Sequence, residues 1–215
     1  MKKLSRSFYY RNTIDVAIEL LGCRLICAGN GVKTGGVIVE TEAYRGPTDP
    51  ACHAFKGRTK RNDIMYGRPG FLYVYFTYGN HFMLNVVTED EGFPAAVLLR
   101  GLEPVYGIET MAARRGTNDV INIASGPGKL AKALDVTGTD YGTDLTGSYI
   151  YITGLAPKRP SILASPRIGI GVGGSEHLWR FYIKDNPHVS NGSKWVSDNT
   201  YTLGAARKMR FVIRT

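Results

Sequence analysis

The chain has 215 residues, 43% apolar and 21% charged, a composition that fits one filled globular core and excludes a disordered or membrane-embedded polypeptide. No apolar run approaches the roughly 20 residues of a spanning helix, and Ser5, Ser7 and Tyr9-Tyr10-Arg11 interrupt the basic N-terminus before a secretory stretch could form. The expected location is therefore cytoplasmic, associated with the nucleoid in a bacterium or nuclear in a eukaryote. Three cysteines, Cys23, Cys27 and Cys52, without a C-x-x-C pair imply neither a disulfide framework nor a zinc site. A formal net charge of +9 favours nucleic acid or another anionic surface as partner.

In chain order, Thr13 as hydroxyl N-cap, Asp15 in the first turn and Gly22 past the end predict a short helix. Residues 24–28 and 36–41 flank Gly29-Asn30-Gly31 and read as an antiparallel hairpin. From Pro47 to Gly70 periodicity is lost, and a loop of that length without structure of its own is commonly functional. Residues 71–78 and 82–87, rich in aromatic and β-branched side chains, form a second hairpin around Tyr78-Gly79-Asn80. A strand follows at 96–99, with helices at Pro104–Arg115 and Pro127–Leu134. Further strands are expected at 149–153, Arg167–Gly171 and 180–184, then a polar stretch and a variable basic tail from about 193. The whole chain, 1–215, is expected to be one α+β domain.

In an extended Val39-Glu40-Thr41-Glu42-Ala43-Tyr44, Glu40 and Glu42 share one face. Three readings are open: the solvated face of a half-exposed strand, a general base in a pocket, or a divalent-metal site completed by Asp49 or His53. Tyr44, Tyr73, Tyr75 and Tyr78 beside these carboxylates point to a flat aromatic ligand. Lys56, Arg58, Lys60, Arg61 and Arg68, against the single acid Asp63, point to a polyanion carrying it. An aromatic at a hairpin tip among basic residues is how a wedge meets a base stack. Ser125-Gly126-Pro127-Gly128-Lys129 lacks phosphate-loop spacing, yet a helix N-terminus with a lysine holds one backbone phosphate.

The segments 39–44, Gly46-Pro47, Ala51-Cys52-His53, Arg61-Asn62, 70–75 and Tyr78-Gly79 resemble the alkyladenine (3-methyladenine) DNA glycosylase family. So do Leu98-Leu99-Arg100, Leu102-Glu103-Pro104, 107–111, Ser125-Gly126-Pro127, 167–171 and 180–182, in the same order, so that the likeness spans about residues 5–190. It implies a curved antiparallel sheet with flanking helices, a hairpin that intercalates into DNA, and no metal or cofactor. The implied activity is that of a monofunctional glycosylase acting as a monomer on double-stranded DNA with damaged purines: 3-methyladenine, 7-methylguanine, hypoxanthine or ethenoadenine.

By the same resemblance Glu42 is the general base, and Tyr44, His53 and Tyr75 wall the pocket for a flipped base. Asn85 crowds the exocyclic amine of guanine, while Arg100 and the backbone carbonyl of Ile168 position the attacking water. Tyr78 with Gly79 forms the wedge, and Arg58, Lys60, Arg61 and Lys129 are the expected phosphate contacts. Asn80, His81 and the tail depart from the vertebrate pattern. Two rivals remain: a metal-dependent nuclease using Glu40, Glu42 and Asp49, and a DNA-binding protein with an inert pocket.

Overall fold

In the computed structural model of the chain, described over residues 1–29, 31–77, 79–154, 160–171, 173–190 and 200–201, one curled antiparallel sheet connects the strands and a few helices pack against it. Asn30, Tyr78 and the tail beyond 201 lie outside the described residues. The elements are α1 (Arg6–Tyr9), α2 (Thr13–Glu19), β1 (Arg24–Gly29), β2 (Val32–Arg45), β3 (Leu72–Thr77), β4 (His81–Val87), β5 (Ala95–Tyr106), α3 (Ile108–Arg115), α4 (Pro127–Leu134), β6 (Ile150–Thr153), β7 (Ile162–Ser165), β8 (Arg180–Ile183) and β9 (Thr200–Tyr201). The sheet order is β3-β4-β5-β2-β8-β7-β9, and β1 pairs with β2 and β6.

The strand β2 is the hub. Its first half pairs with β1 on one side, its second half pairs with β8 on that side, and β5 lines the other side along nearly its whole length. Apart from an irregularity at Val105, opposite Gly35–Gly36, two bulges break the β2–β5 register: Val39 is the extra residue between Ile38 and Glu40, and Arg100 is the extra residue between Leu99 and Gly101. A bulge bends its strand and re-aims a side chain, and here both sit beside Glu40.

Alternation along the strands separates two environments. The cross-strand row Leu72–Val86–Val97–Ala43 lies in the main apolar core with Val16 and Ala17 of α2 and Leu130, Ala131 and Leu134 of α4. The next row, Tyr73–Asn85–Leu98–Glu42–Arg180, crosses five strands on the opposite face. A smaller cluster of Cys52, Ala54, Met65, Tyr73, Val87 and Ala96 backs that face.

Several local expectations are corrected. Asn12 caps α2, its side chain accepting from the Ile14 N–H at 3.0 Å, whereas both the backbone N–H and the hydroxyl of Thr13 donate to Glu89. Residues 104–106 continue β5, so the helix starts only at Ile108, after Gly107 turns the chain with φ 62°. Pairing with β2 through Tyr106 outweighs the helical pattern there. Arg167–Gly171 is not a strand but a loop, in which the Ile168 N–H donates to the Glu42 side chain rather than to a strand partner.

At Gly35–Gly36 the hub strand is squeezed from both sides. A Cβ on Gly35 would sit 2.2 Å from the Leu25 carbonyl oxygen of β1, and one on Gly36 would sit 1.9 Å from the Glu103 carbonyl oxygen of β5. Both obstacles are backbone and cannot swing aside. Gly36→Ala is therefore expected to cost about 1–3 kcal/mol or more, as overpacking does, read as a lowered urea midpoint with unchanged slope.

Candidate active site

On the face opposite the main core lies a cavity of about 380 Å³ lined by Tyr44, His53, Tyr75, Asn85, Arg100 and Ile168, among others. Every residue expected on the pocket wall is therefore on it. Tyr44 comes from β2, Tyr75 from β3, Asn85 from β4 and Arg100 from the β5 bulge. His53 and Ile168 come from the two loops that close the sides. Asn85 is fixed by donating its amide to the Tyr73 carbonyl at 3.1 Å.

Glu42 stands one layer behind this lining and is fully buried. Tyr44 Oη donates to its Oε2 at 2.8 Å and Arg100 Nη1 to the same oxygen at 3.4 Å, while the Ile168 N–H donates to Oε1 at 2.8 Å. Each carboxylate oxygen has two lone pairs, so Oε1 keeps one beyond its described bond. Burial, and then the neighbouring Glu42, push the Tyr44 hydroxyl well above its usual range, so it remains a donor. The expected role of Ile168 lay in its carbonyl; it is the amide that touches Glu42.

Glu40 is also fully buried, which overturns the solvated-face reading of the two carboxylates. Its Oε1 accepts from Arg100 Nε at 3.0 Å, Arg180 Nε at 2.7 Å and Ser190 Oγ at 2.9 Å, and its Oε2 from the Ser190 N–H at 2.7 Å. Asp49 receives a two-pronged pair from Arg167, at 2.6 and 2.8 Å. The acids of the nuclease reading are thus each bound to guanidinium groups, a donor set unlike that of a divalent ion.

Arg167 does more than pair with Asp49. It donates to the carbonyls of Ala43 and Gly174, and its guanidinium lies over Tyr44 at 4.7 Å and Trp179 at 5.1 Å. It therefore ties the 166–174 loop to the back of a pocket wall. Sequence reasoning missed this strut and the Glu40–Arg180–Ser190 cluster. Arg100 and Arg180 did carry a signal, since each interrupts an apolar strand and a buried arginine requires a buried acid.

The aromatic wall is built as an interlocked set. The His53 ring meets Tyr75 edge-on at 4.6 Å between centroids and its Nδ1 lies 2.8 Å from Tyr73 Oη. Arg61, fully on the surface, lies 4.8 Å over the other partner, Tyr75, and approaches His53 Nε2 at 3.5 Å. With Arg61 donating there, the Nδ1 carries the proton and donates to Tyr73.

The expected phosphate contacts differ in how free they are. Arg58 is paired with Asp63 at 2.6 Å, and Lys129, in the first turn of α4 beside the lining residue Pro127, donates to Asn122 at 2.9 Å. Lys60 is exposed, and so is Gly79, with φ 72° at the tip of the β3–β4 hairpin. Tyr78, the expected wedge, lies outside the described residues. Among the described residues no helix is long and apolar enough to cross a membrane.

Residues 7–187 match the family described as methylpurine-DNA glycosylase. A protein of Chlorobaculum parvum is 46% identical over 98% of this chain and 97% of its own length. One from Carboxydothermus hydrogenoformans is 48% identical over 87% of this chain and 98% of its own. One from Rhodopseudomonas palustris is 46% identical over 87% of each. All three are provisionally named 3-methyladenine DNA glycosylase.

Partial burial, and then the Arg61 charge, lower His53 from 6.5 to about 4. Between those values the unfolded chain binds a proton that the folded chain does not, so the His53 contribution is fully present above about pH 6.5 and is lost as pH falls toward 4. One edge of the ring is wet, which screens the effect. Urea midpoints at pH 7 and pH 5 should therefore differ less in His53→Gln than in the wild type.

Proposed function

The chain belongs to the methylpurine-DNA glycosylase family, and from that premise we propose that it flips alkylated or deaminated purines out of duplex DNA and hydrolyses their glycosidic bond with a water activated by Glu42. It is a DNA glycosylase, an enzyme of DNA repair. The substrate range proposed is 3-methyladenine, 7-methylguanine, hypoxanthine and ethenoadenine, and the acting form a monomer.

The observation that carries this reading is a fully buried carboxylate held from three sides directly behind an aromatic cavity. A base inside the stack exposes neither its glycosidic bond nor its edges, so the nucleotide must leave the duplex, at a few kcal/mol that damaged or mispaired bases reduce. The cavity, at about 380 Å³, accepts a single purine-sized body. Tyr44 on one side and the His53–Tyr75 pair on another offer it ring faces. A purine alkylated at N3 or N7 is cationic and gains about 0.5–2 kcal/mol from such faces. Asn85, in the cavity lining, is assigned to rejecting an exocyclic amine.

As the bond breaks, positive charge develops at the sugar. Glu42 stabilises that charge and takes the proton of the attacking water, while Arg100 and Ile168 hold the carboxylate in one orientation. A cationic base leaves unaided. Tyr78 is assigned to the gap left in the stack and Gly79 to the turn beside it, with Arg58, Lys60, Arg61 and Lys129 on the phosphates.

Glu42→Gln keeps the shape and removes both charge and basicity, so it should bind a lesion duplex as the wild type does and lose at least about 10²-fold in single-turnover excision. Near-wild-type excision would refute the assignment. With a carboxylate and water in place of an amine nucleophile, borohydride added during turnover should trap no enzyme–DNA adduct, and strands should break only after hot alkali. EDTA should leave base release intact. Binding should weaken steeply with salt, each phosphate contact adding about 0.9 to the log–log slope, and Lys60→Ala should flatten that slope by about one unit.

A further inference from the structure

The pocket assignment leaves Glu40, Arg180 and Ser190 without a role, although the three form the most densely bonded polar group behind the pocket. Arg100 is the link. It spreads a single guanidinium over Glu40 through Nε at 3.0 Å, Glu42 through Nη1 at 3.4 Å and Ser190 Oγ through Nη2 at 3.4 Å. The shorter contact is the one to Glu40. We propose that Glu40, anchored by Arg180 and Ser190, is a positioning residue that draws the Arg100 guanidinium off Glu42 and so leaves Glu42 the negative charge and free lone pair that base removal uses.

The geometry supports this in three ways. Arg100 occupies the bulge position of β5, so its direction is set by the bulge and by what pulls on it rather than by the strand alone. Gly101, paired with Glu40, has no side chain, and a Cβ there would lie 3.1 Å from the Glu40 Cβ and 3.0 Å from the His188 carbonyl oxygen. The Glu40 side chain thus keeps its room. Glu40 is also tied at both oxygens, with Ser190 bonding each of them, so it stays in place while Arg100 is held. Burial raises the Glu40 carboxyl, but Arg100, Arg180 and the Ser190 N–H outweigh it and hold the group below its ordinary value, so it is an anion at working pH.

Removing Glu40 would leave Arg100 one carboxylate to bind, Glu42, and a general base locked in a close ion pair is weaker and less mobile. Removing Arg180 acts the other way: Glu40 then claims Arg100 more fully and Glu42 loses cationic cover. The charged and titratable groups facing Glu42 are Arg100 from β5, Tyr44 from its own strand and Arg167 from the 166–174 loop. Those facing Glu40 are Arg100 and Arg180. None of these four besides Arg180 is altered in the test.

The inference rests on Glu42 being the base, and the experiment separates the two claims. Single-turnover excision of 7-methylguanine, a cationic base that needs no acid to leave, is followed against pH on one duplex. Glu40→Gln should bind that duplex as the wild type does, lose about 10²-fold in rate at neutral pH, and move the acid limb of the profile to lower pH. Arg180→Gln should move the limb to higher pH. A role confined to folding would lower the active fraction and move neither limb. If Glu40→Gln does not fold, Glu40→Gln with Arg180→Gln removes one charge of each sign and should still move the limb downward. Wild-type limbs in these variants, with Glu42→Gln inactive, would overturn the role of Glu40 alone; an active Glu42→Gln would overturn the base assignment and this inference with it.

Discussion

The pocket depends on a buried set of charges that balances. Glu40, Glu42 and Asp49 stand against Arg100, Arg167 and Arg180, each at most 7% exposed and each bound to a member of opposite sign. Burying any of these alone would be prohibitive, and even a matched pair gains little over an apolar core. What the set contributes is therefore better explained by what it holds in place than by stability. Arg100 is the member that lines the cavity, and Glu42 lies directly behind it, bound by Tyr44, Arg100 and the Ile168 N–H.

The rest of the architecture serves this set. The β2–β5 bulges aim Arg100, the α2 side of the hub strand is sealed by Thr41 Oγ1 donating to the Ala17 carbonyl at 2.9 Å, and the main core lies entirely on that side. The cavity face is left to aromatic rings and paired polar groups. A sheet with an apolar face and a polar, aromatic face follows from alternation along β3, β4, β5 and β2, interrupted at the bulges.

Much of this was legible in the sequence because alternation is local. Tyr73 and Tyr75 on one face, Glu40 and Glu42 on one face, and the two hairpins follow from spacing alone, and the α+β class followed from the resemblance. What escaped was long-range. Nothing near residue 167 announces that its guanidinium will meet Asp49, 118 positions away, and Arg167–Gly171 looks like a strand because its apolar residues alternate with glycine. Their apolar character serves a pocket lining instead. The start of α3 was misplaced because a proline at 104, usually a helix starter, here sits in β5 opposite Gly36, near the end of the strand. The charge balance was invisible for the same reason, since it is a property of contacts among six separated positions.

The row Tyr73–Asn85–Leu98–Glu42–Arg180 runs across β3, β4, β5, β2 and β8, so the cavity lining and the buried carboxylate behind it belong to the hydrogen-bonded framework itself. Many enzymes carry their reactive groups on loops, which are exchanged freely while the scaffold persists. Here modularity is foreclosed. The buried carboxylate cluster is not a detachable cassette: grafting it onto another sheet would require the same two bulges and the same strand order. The 47–70 loop and the loop that carries Ile168 stand outside that framework, so their residues can change without breaking a strand ladder.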